Sequence, residues 1–187
     1  DLFFEQDQLV KMTTVPANIP GFFSMEGLPW IILAWSFIYI LRPITSVIHE
    51  LGHALAAFLF TDQPIQIRVG AGEGRFHFRV NRIEVFFASK QMITGHTVFS
   101  DLNLSKLKLL GILLAGPFFS AFAAALGIFL IYQTNFHLAI DAVMIGWVCS
   151  HLLCFIRNMI PIHLQNPHSK SKTGIPSDGL QIFRIFR

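Results

Sequence analysis

Two histidines four residues apart with a glutamate between them, His49-Glu50-Leu51-Gly52-His53, are the residues whose types and spacing most directly suggest chemistry. On a helix, positions i and i+4 share a face, so the two imidazoles can grip one metal ion. Glu50 then sits where it can take a proton from a metal-activated water. A surface helix can carry two histidines at this spacing by chance, but here the flanks 44–48 and 54–60 are largely apolar. Ionisable groups at membrane depth are costly unless they have a partner or a cavity. A catalytic zinc takes three protein ligands plus water, so one ligand remains to be found.

The elements that must position these residues are apolar. The chain has 187 residues, 53% hydrophobic, 13% charged, with 20 Phe and a mean hydropathy of +0.56. A soluble domain of this size carries about a quarter charged residues. These values describe a multi-pass membrane protein of one domain, and a net charge of +3, scattered along the chain, excludes nucleic acid as a partner. Cys149 and Cys154, about 140° apart on one helix, cannot pair and read as buried thiols, with no zinc-finger spacing or disulfide framework. Residues 1–28 lack a basic start followed by an apolar core and do not read as a signal peptide.

Three stretches are long enough to cross a bilayer: about 30–60, 107–132 and 138–160. The first would span ~46 Å as one straight helix, so Pro43 must kink it or start a second piece. Arg68, Arg75, Arg79, Arg82, Lys90, Lys106 and Lys108 lie between the first two crossings, and Arg157, Lys170, Lys172, Arg184 and Arg187 follow the third. Only Lys11 lies on the other side, setting aside Arg42 within the first crossing. That bias puts the 61–108 loop and the C-terminus in the cytoplasm and the N-terminus outside the cell membrane.

Between the first two crossings the rhythm changes to period two. Ile65, Ile67 and Val69, then Phe76, Phe78 and Val80, then Ile83, Val85 and Phe87 alternate with polar residues and predict strands. The shift at Asn81-Arg82 predicts a turn or bulge. Gly70-Ala71-Gly72-Glu73-Gly74 lacks the lysine and hydroxyl of a phosphate loop and reads as a hairpin connection.

The third ligand must lie on the side of His49 and His53, late in the first crossing and so near the cytoplasm. His137 falls in the external turn, and Asp141 opens the third crossing on the far side. His151, deeper in that crossing, reads as a packed or hydrogen-bonded helix residue. His77 and His96 read as polar-face residues of the strands. His163 and His168, in the polar stretch 163–177, would be poorly fixed. Asp178 is on the correct side and opens an apolar helical stretch. The residues alone leave it equally a ligand or a helix-start carboxylate beside the cap serine Ser177.

Four motifs carry a resemblance. They are His49-Glu50-Leu51-Gly52-His53-Ala54-Leu55-Ala56-Ala57, Ala115-Gly116-Pro117 heading a small-residue-rich helix, Asn158-Met159-Ile160-Pro161, and Ser177-Asp178-Gly179. In this order, over residues 30–187, the chain resembles the site-2 protease family of intramembrane zinc metalloproteases. The resemblance implies a three-helix catalytic core with a small membrane-associated β-segment, about 62–99, between the first two core helices. It implies Zn2+ held by His49, His53 and Asp178, Glu50 as the catalytic base, and Asn158 near the substrate. The substrate would be a transmembrane or membrane-associated peptide, hydrolysed as Glu50 takes a proton from water and passes it to the leaving amine. Residues 29–187 would form the protease domain and 1–28 an extracytoplasmic segment, a minimal member without PDZ or CBS domains. Two features depart from the family pattern. Many members place the Asp-Gly pair only a few residues after the proline, whereas Asp178 follows Pro161 by seventeen, and Ser177 stands where leucine is usual. The extra stretch can loop out into water.

Two points stay open. The strands could pair with extended substrate or merely shield the site. Asn158 could hold substrate backbone or terminate its own helix before Pro161. A protease-like protein that binds peptides or partners without cleaving them is the alternative, opposed by the intact His49, Glu50 and His53. A zinc transporter or metal sensor would need further polar residues lining the crossings, and the second crossing has almost none. A prenyl-protein protease takes a later glutamate as ligand, and none occurs after Glu84.

Overall fold

Pro43 does divide the first apolar stretch. In the computed structural model, which describes residues 27–100, 104–133, 137–164 and 174–187, helix α1 (Leu28–Ile40) ends and α2 (Arg42–Phe60) begins around Leu41. Proline in a first helical turn loses no hydrogen bond and has its φ already fixed for the helix. Strands β1 (Ile65–Val80) and β2 (Ile83–Val98) follow, then α3 (Lys106–Gln133), α4 (Leu138–Met159), the short strands β3 (His163–Leu164) and β4 (Ile175–Pro176), and α5 (Asp178–Phe186). The expected segment 1–28 lies almost wholly outside the described residues, as do Lys11, His168, Lys170 and Lys172.

Helices α2, α3 and α4 are each long and apolar enough to cross a bilayer. Trp35, Tyr39, Phe118, Phe122 and Phe129 are more than half exposed, a surface that suits lipid better than water. Between helices, small residues allow close approach: Gly127 of α3 faces Trp147 and Val148 of α4, and Gly146 of α4 faces Ala34 and Phe37 of α1. The Trp147 indole N–H donates to the Ala123 carbonyl at 2.9 Å.

Each long strand folds back, so the two strands contribute four segments. Residues 76–80 run antiparallel to 83–87, joined by a turn at Asn81, whose φ of 55° suits asparagine. Residues 83–87 also run parallel to 65–69, and 66–69 run antiparallel to 95–98. Among the described residues, segment 95–98 is therefore an edge. Ile65, Ile67, Val69 and Val85 pack on Ala54 and Ala57 of α2 and Ile112 of α3, forming the core that joins sheet to helices. Arg82 ties the hairpin to the end of α2: it donates to the carbonyls of Thr61 (2.6 Å) and Phe58 (3.3 Å) and pairs with Asp62 (3.1 Å). These carbonyls are among those a helix C-terminus leaves without partners.

Beyond α4, β3 and β4 pair antiparallel, His163 opposite Pro176 and Leu164 opposite Ile175. Ser177 closes this junction. Its hydroxyl donates to the Ile160 carbonyl (2.6 Å) and accepts from the N–H groups of Ile162 (3.2 Å) and Leu180 (3.2 Å), the last contact capping α5. Ser177→Ala should cost about 1–2 kcal/mol, the usual loss for a helix cap with a buried hydroxyl contact. Thermal unfolding in detergent would register it as a lowered midpoint, and an unchanged midpoint would mean that Ser177 does not anchor α5.

Candidate metal centre

The helical spacing of His49 and His53 puts both rings on the buried face of α2, with Nε2 atoms 3.2 Å apart. Asp178, in the first turn of α5, brings Oδ2 to 3.1 Å from His49 Nε2 and 3.3 Å from His53 Nε2. Four ligands at ~2.0–2.1 Å around a tetrahedral ion lie about 3.3 Å from one another. The three donor atoms already stand at that spacing, so a metal ion fits.

Their outer atoms are held as a metal site needs. His53 Nδ1 lies 2.7 Å from the Ile112 carbonyl, an acceptor only, so Nδ1 carries the proton and Nε2 presents its lone pair inward. Pro117 has no N–H for the Leu113 carbonyl, which opens the helical ladder one residue from Ile112. His49 Nδ1 is 3.0 Å from the hydroxyl of Ser120, which is fully buried. Gly116 makes room for the His53 ring: a Cβ there would lie 2.2 Å from Nε2. Burial alone would push the Asp178 carboxyl up, but without a metal the His49 and His53 rings can carry a proton at Nε2, and in that protonated form they more than offset it and hold the group down at about 2.

Glu50 is buried and faces the edge segment of the sheet. The Thr97 hydroxyl donates to Glu50 Oε2 at 2.8 Å and lies 3.1 Å from the Glu50 carbonyl oxygen. The strand comes this close only because residue 95 is glycine, where a Cβ would lie 2.6 Å from Glu50 Cγ. A cleft of about 710 Å3, including the solvent at its mouth, opens beside His49 and Glu50, with Thr94, Gly95 and His96 on one wall and Cys154 and Asn158 on another.

The structure thus gathers His49, His53 and Asp178 into one cluster and puts Glu50 and Asn158 on the adjoining cleft. Asp178 is both things the residues left open, a first-turn carboxylate beside a cap serine and a potential ligand. Asn158 lines the cleft, but its amide also donates to the Cys154 carbonyl one turn back at 3.0 Å. His163 is engaged elsewhere, 3.2 Å from an Arg184 guanidinium nitrogen, and His137 caps α4. His151 is packed, fully buried against Trp147, but neither ring nitrogen has a protein partner among the described residues. His96, expected on an ordinary polar face, lines the cleft instead. Burial lowers its pKa against the pull of Glu50 and with the help of Arg68. The cysteines are free, as expected, but half-buried rather than buried. Ser120, Thr97 and Gly95 escaped sequence reading; the only signal for Ser120 is a lone hydroxyl in an apolar run.

A helical membrane protein with two histidines and a carboxylate gathered at one point is the class that fold and site define. Residues 28–165 match the family model described as Peptidase M50B-like, and the chain belongs to that family, the site-2 proteases. Asp178 lies beyond the matched residues, so its place beside His49 and His53 is a finding of the structure. No curated protein matches the chain.

Gly116→Ala should weaken metal binding, because the added methyl displaces the His53 ring. Titration with Co2+, followed by its visible absorption, should show a weaker or altered tetrahedral spectrum while helical circular dichroism stays unchanged. An identical titration would mean that His53 does not depend on the space at Gly116.

Proposed function

We propose that this protein is an intramembrane zinc metalloendopeptidase that hydrolyses peptide bonds of membrane-embedded or membrane-adjacent peptides. The observation that carries the reading is the trio of donor atoms at tetrahedral spacing, one residue from a buried glutamate that borders an open cleft. His49, His53 and Asp178 would hold the ion. Zinc bound there supplies a Lewis acid that polarises the scissile carbonyl and makes water acidic enough to react near neutral pH. Glu50 accepts the proton of the attacking water and delivers it to the leaving amine. Thr97 fixes one carboxylate oxygen and leaves the other for that transfer.

Among the described residues, segment 95–98 has a strand, 66–69, on one side only, and it borders the cleft. An extended substrate can add there as a further strand, main chain to main chain, with Asn158 on the opposite wall. This favours pairing over shielding as the role of the sheet. The bias of basic residues supports a cytoplasmic sheet and C-terminus and an N-terminus outside.

Purified protein should hold about one zinc per chain. Glu50→Gln should keep the metal and abolish cleavage of membrane peptides, since only the proton acceptor is lost. Asp178→Ala should lose both metal and activity, while His163→Ala keeps both. Native-rate cleavage by Glu50→Gln, or full zinc retention by Asp178→Ala, would overturn the respective role. For orientation, a cysteine at position 20 should react with an impermeant reagent from outside and one at 170 should not; the reverse pattern would invert the topology.

A further inference from the structure

Arg42 and Arg157 have no part in the chemistry above. Both are half-buried and line the cleft that holds His49 and Glu50. Neither guanidinium has a hydrogen bond, ion pair or aromatic face among the described residues, whereas Arg79 and Arg82 pair with acids and Arg68 and Arg82 lie over phenyl rings. Arginine does not discharge by losing a proton. Two like charges in a cleft between membrane helices, each unpaired, raise each other's cost. Glu50 is the one carboxylate among the lining residues, and Thr97 occupies one of its oxygens. The cleft therefore carries positive charge that the described protein does not balance.

We infer that Arg42 and Arg157 recognise a carboxylate on the incoming peptide, either an acidic side chain or a free C-terminus. The inference deepens the peptidase reading and rests on the cleft being a peptide site. Arg42 precedes His49 by seven residues, roughly 10 Å along the helix. An extended peptide covers that distance in about three residues, so the recognised group lies close to the bond cut. Guanidinium forks bind carboxylates through paired charge-assisted hydrogen bonds. They would also take a lipid phosphate. The peptide is favoured because the same cleft contains Glu50, His49 and the open strand edge.

Fluorescence polarisation of labelled peptides on the non-cleaving Glu50→Gln protein, in phosphatidylcholine nanodiscs, tests this. The probes are short Ala/Leu peptides with one Glu, the same peptides with Gln, and the Gln peptide with a free or an amidated C-terminus. A peptide with the recognised carboxylate should bind roughly tenfold tighter than its neutral twin. Arg42→Gln with Arg157→Gln should erase the difference, and the two Lys variants should retain part of it. A gain confined to Glu, or to the free C-terminus, supports the inference and names the source of the carboxylate. Equal binding by charged and neutral peptides would overturn it, without any need for a folded arginine variant. So would a preference that survives both Gln substitutions. Loss of co-purified phosphatidylglycerol in the Gln variants, with no peptide preference in their parent, would assign the guanidiniums to lipid and refute the inference. A carboxylate preference without cleavage by the wild-type chain would sink the peptidase reading and leave this one standing.

Discussion

Two imidazole nitrogens and a carboxylate oxygen lie within 3.3 Å of one another inside an apolar helical bundle. Bringing such groups together out of water is unfavourable unless each is oriented and compensated. Much of the local architecture answers that requirement. Ile112 and Ser120 fix the outer nitrogens, Pro117 removes one backbone hydrogen bond beside one of those partners, and Gly116 leaves room for the His53 ring. The candidate metal site is therefore a property of α2, α3 and α5 together. The i, i+4 pair is only its visible third.

The sheet serves the same centre from the other side. Its core face holds it against Ala54 and Ala57, and Arg82 clamps its turn to the end of α2. Fixed at those points, its edge reaches Glu50 through Gly95 and Thr97. The helices thus orient the three candidate ligand atoms, and a strand edge orients the Glu50 carboxylate. Among the described residues that edge has no strand on its other side.

Local periodicity made much of this legible. The His49–His53 spacing, the three apolar spans and the period-two segments depend on near neighbours, and the structure has each of them. The break at Pro43 was legible for the same reason. What could not be read depends on folding back. Neither the double use of each long strand nor the meeting of Thr97 with Glu50 leaves a trace in spacing. His96 looked ordinary because alternation tells which face a residue takes but not what that face meets. Asp178 was ambiguous because its sequence distance from Pro161 is large, while the ladder of His163–Leu164 with Ile175–Pro176 makes its spatial distance small.

That ladder has a consequence for how the chain can vary. The connection between its two strands is closed at the base, so its length is uncoupled from the geometry at Asp178. Closing a longer loop costs only about 0.6 kcal/mol per doubling of length, so residues, or a whole folded module, can be spliced in there at little expense. The same junction transmits force. Ser177, adjacent to Asp178, holds the last turn of α4 and the first of α5 through one hydroxyl. Tension applied between the two strands would act in series with the Asp178 carboxylate, so the same hydroxyl that caps α5 also sets how firmly that carboxylate is held.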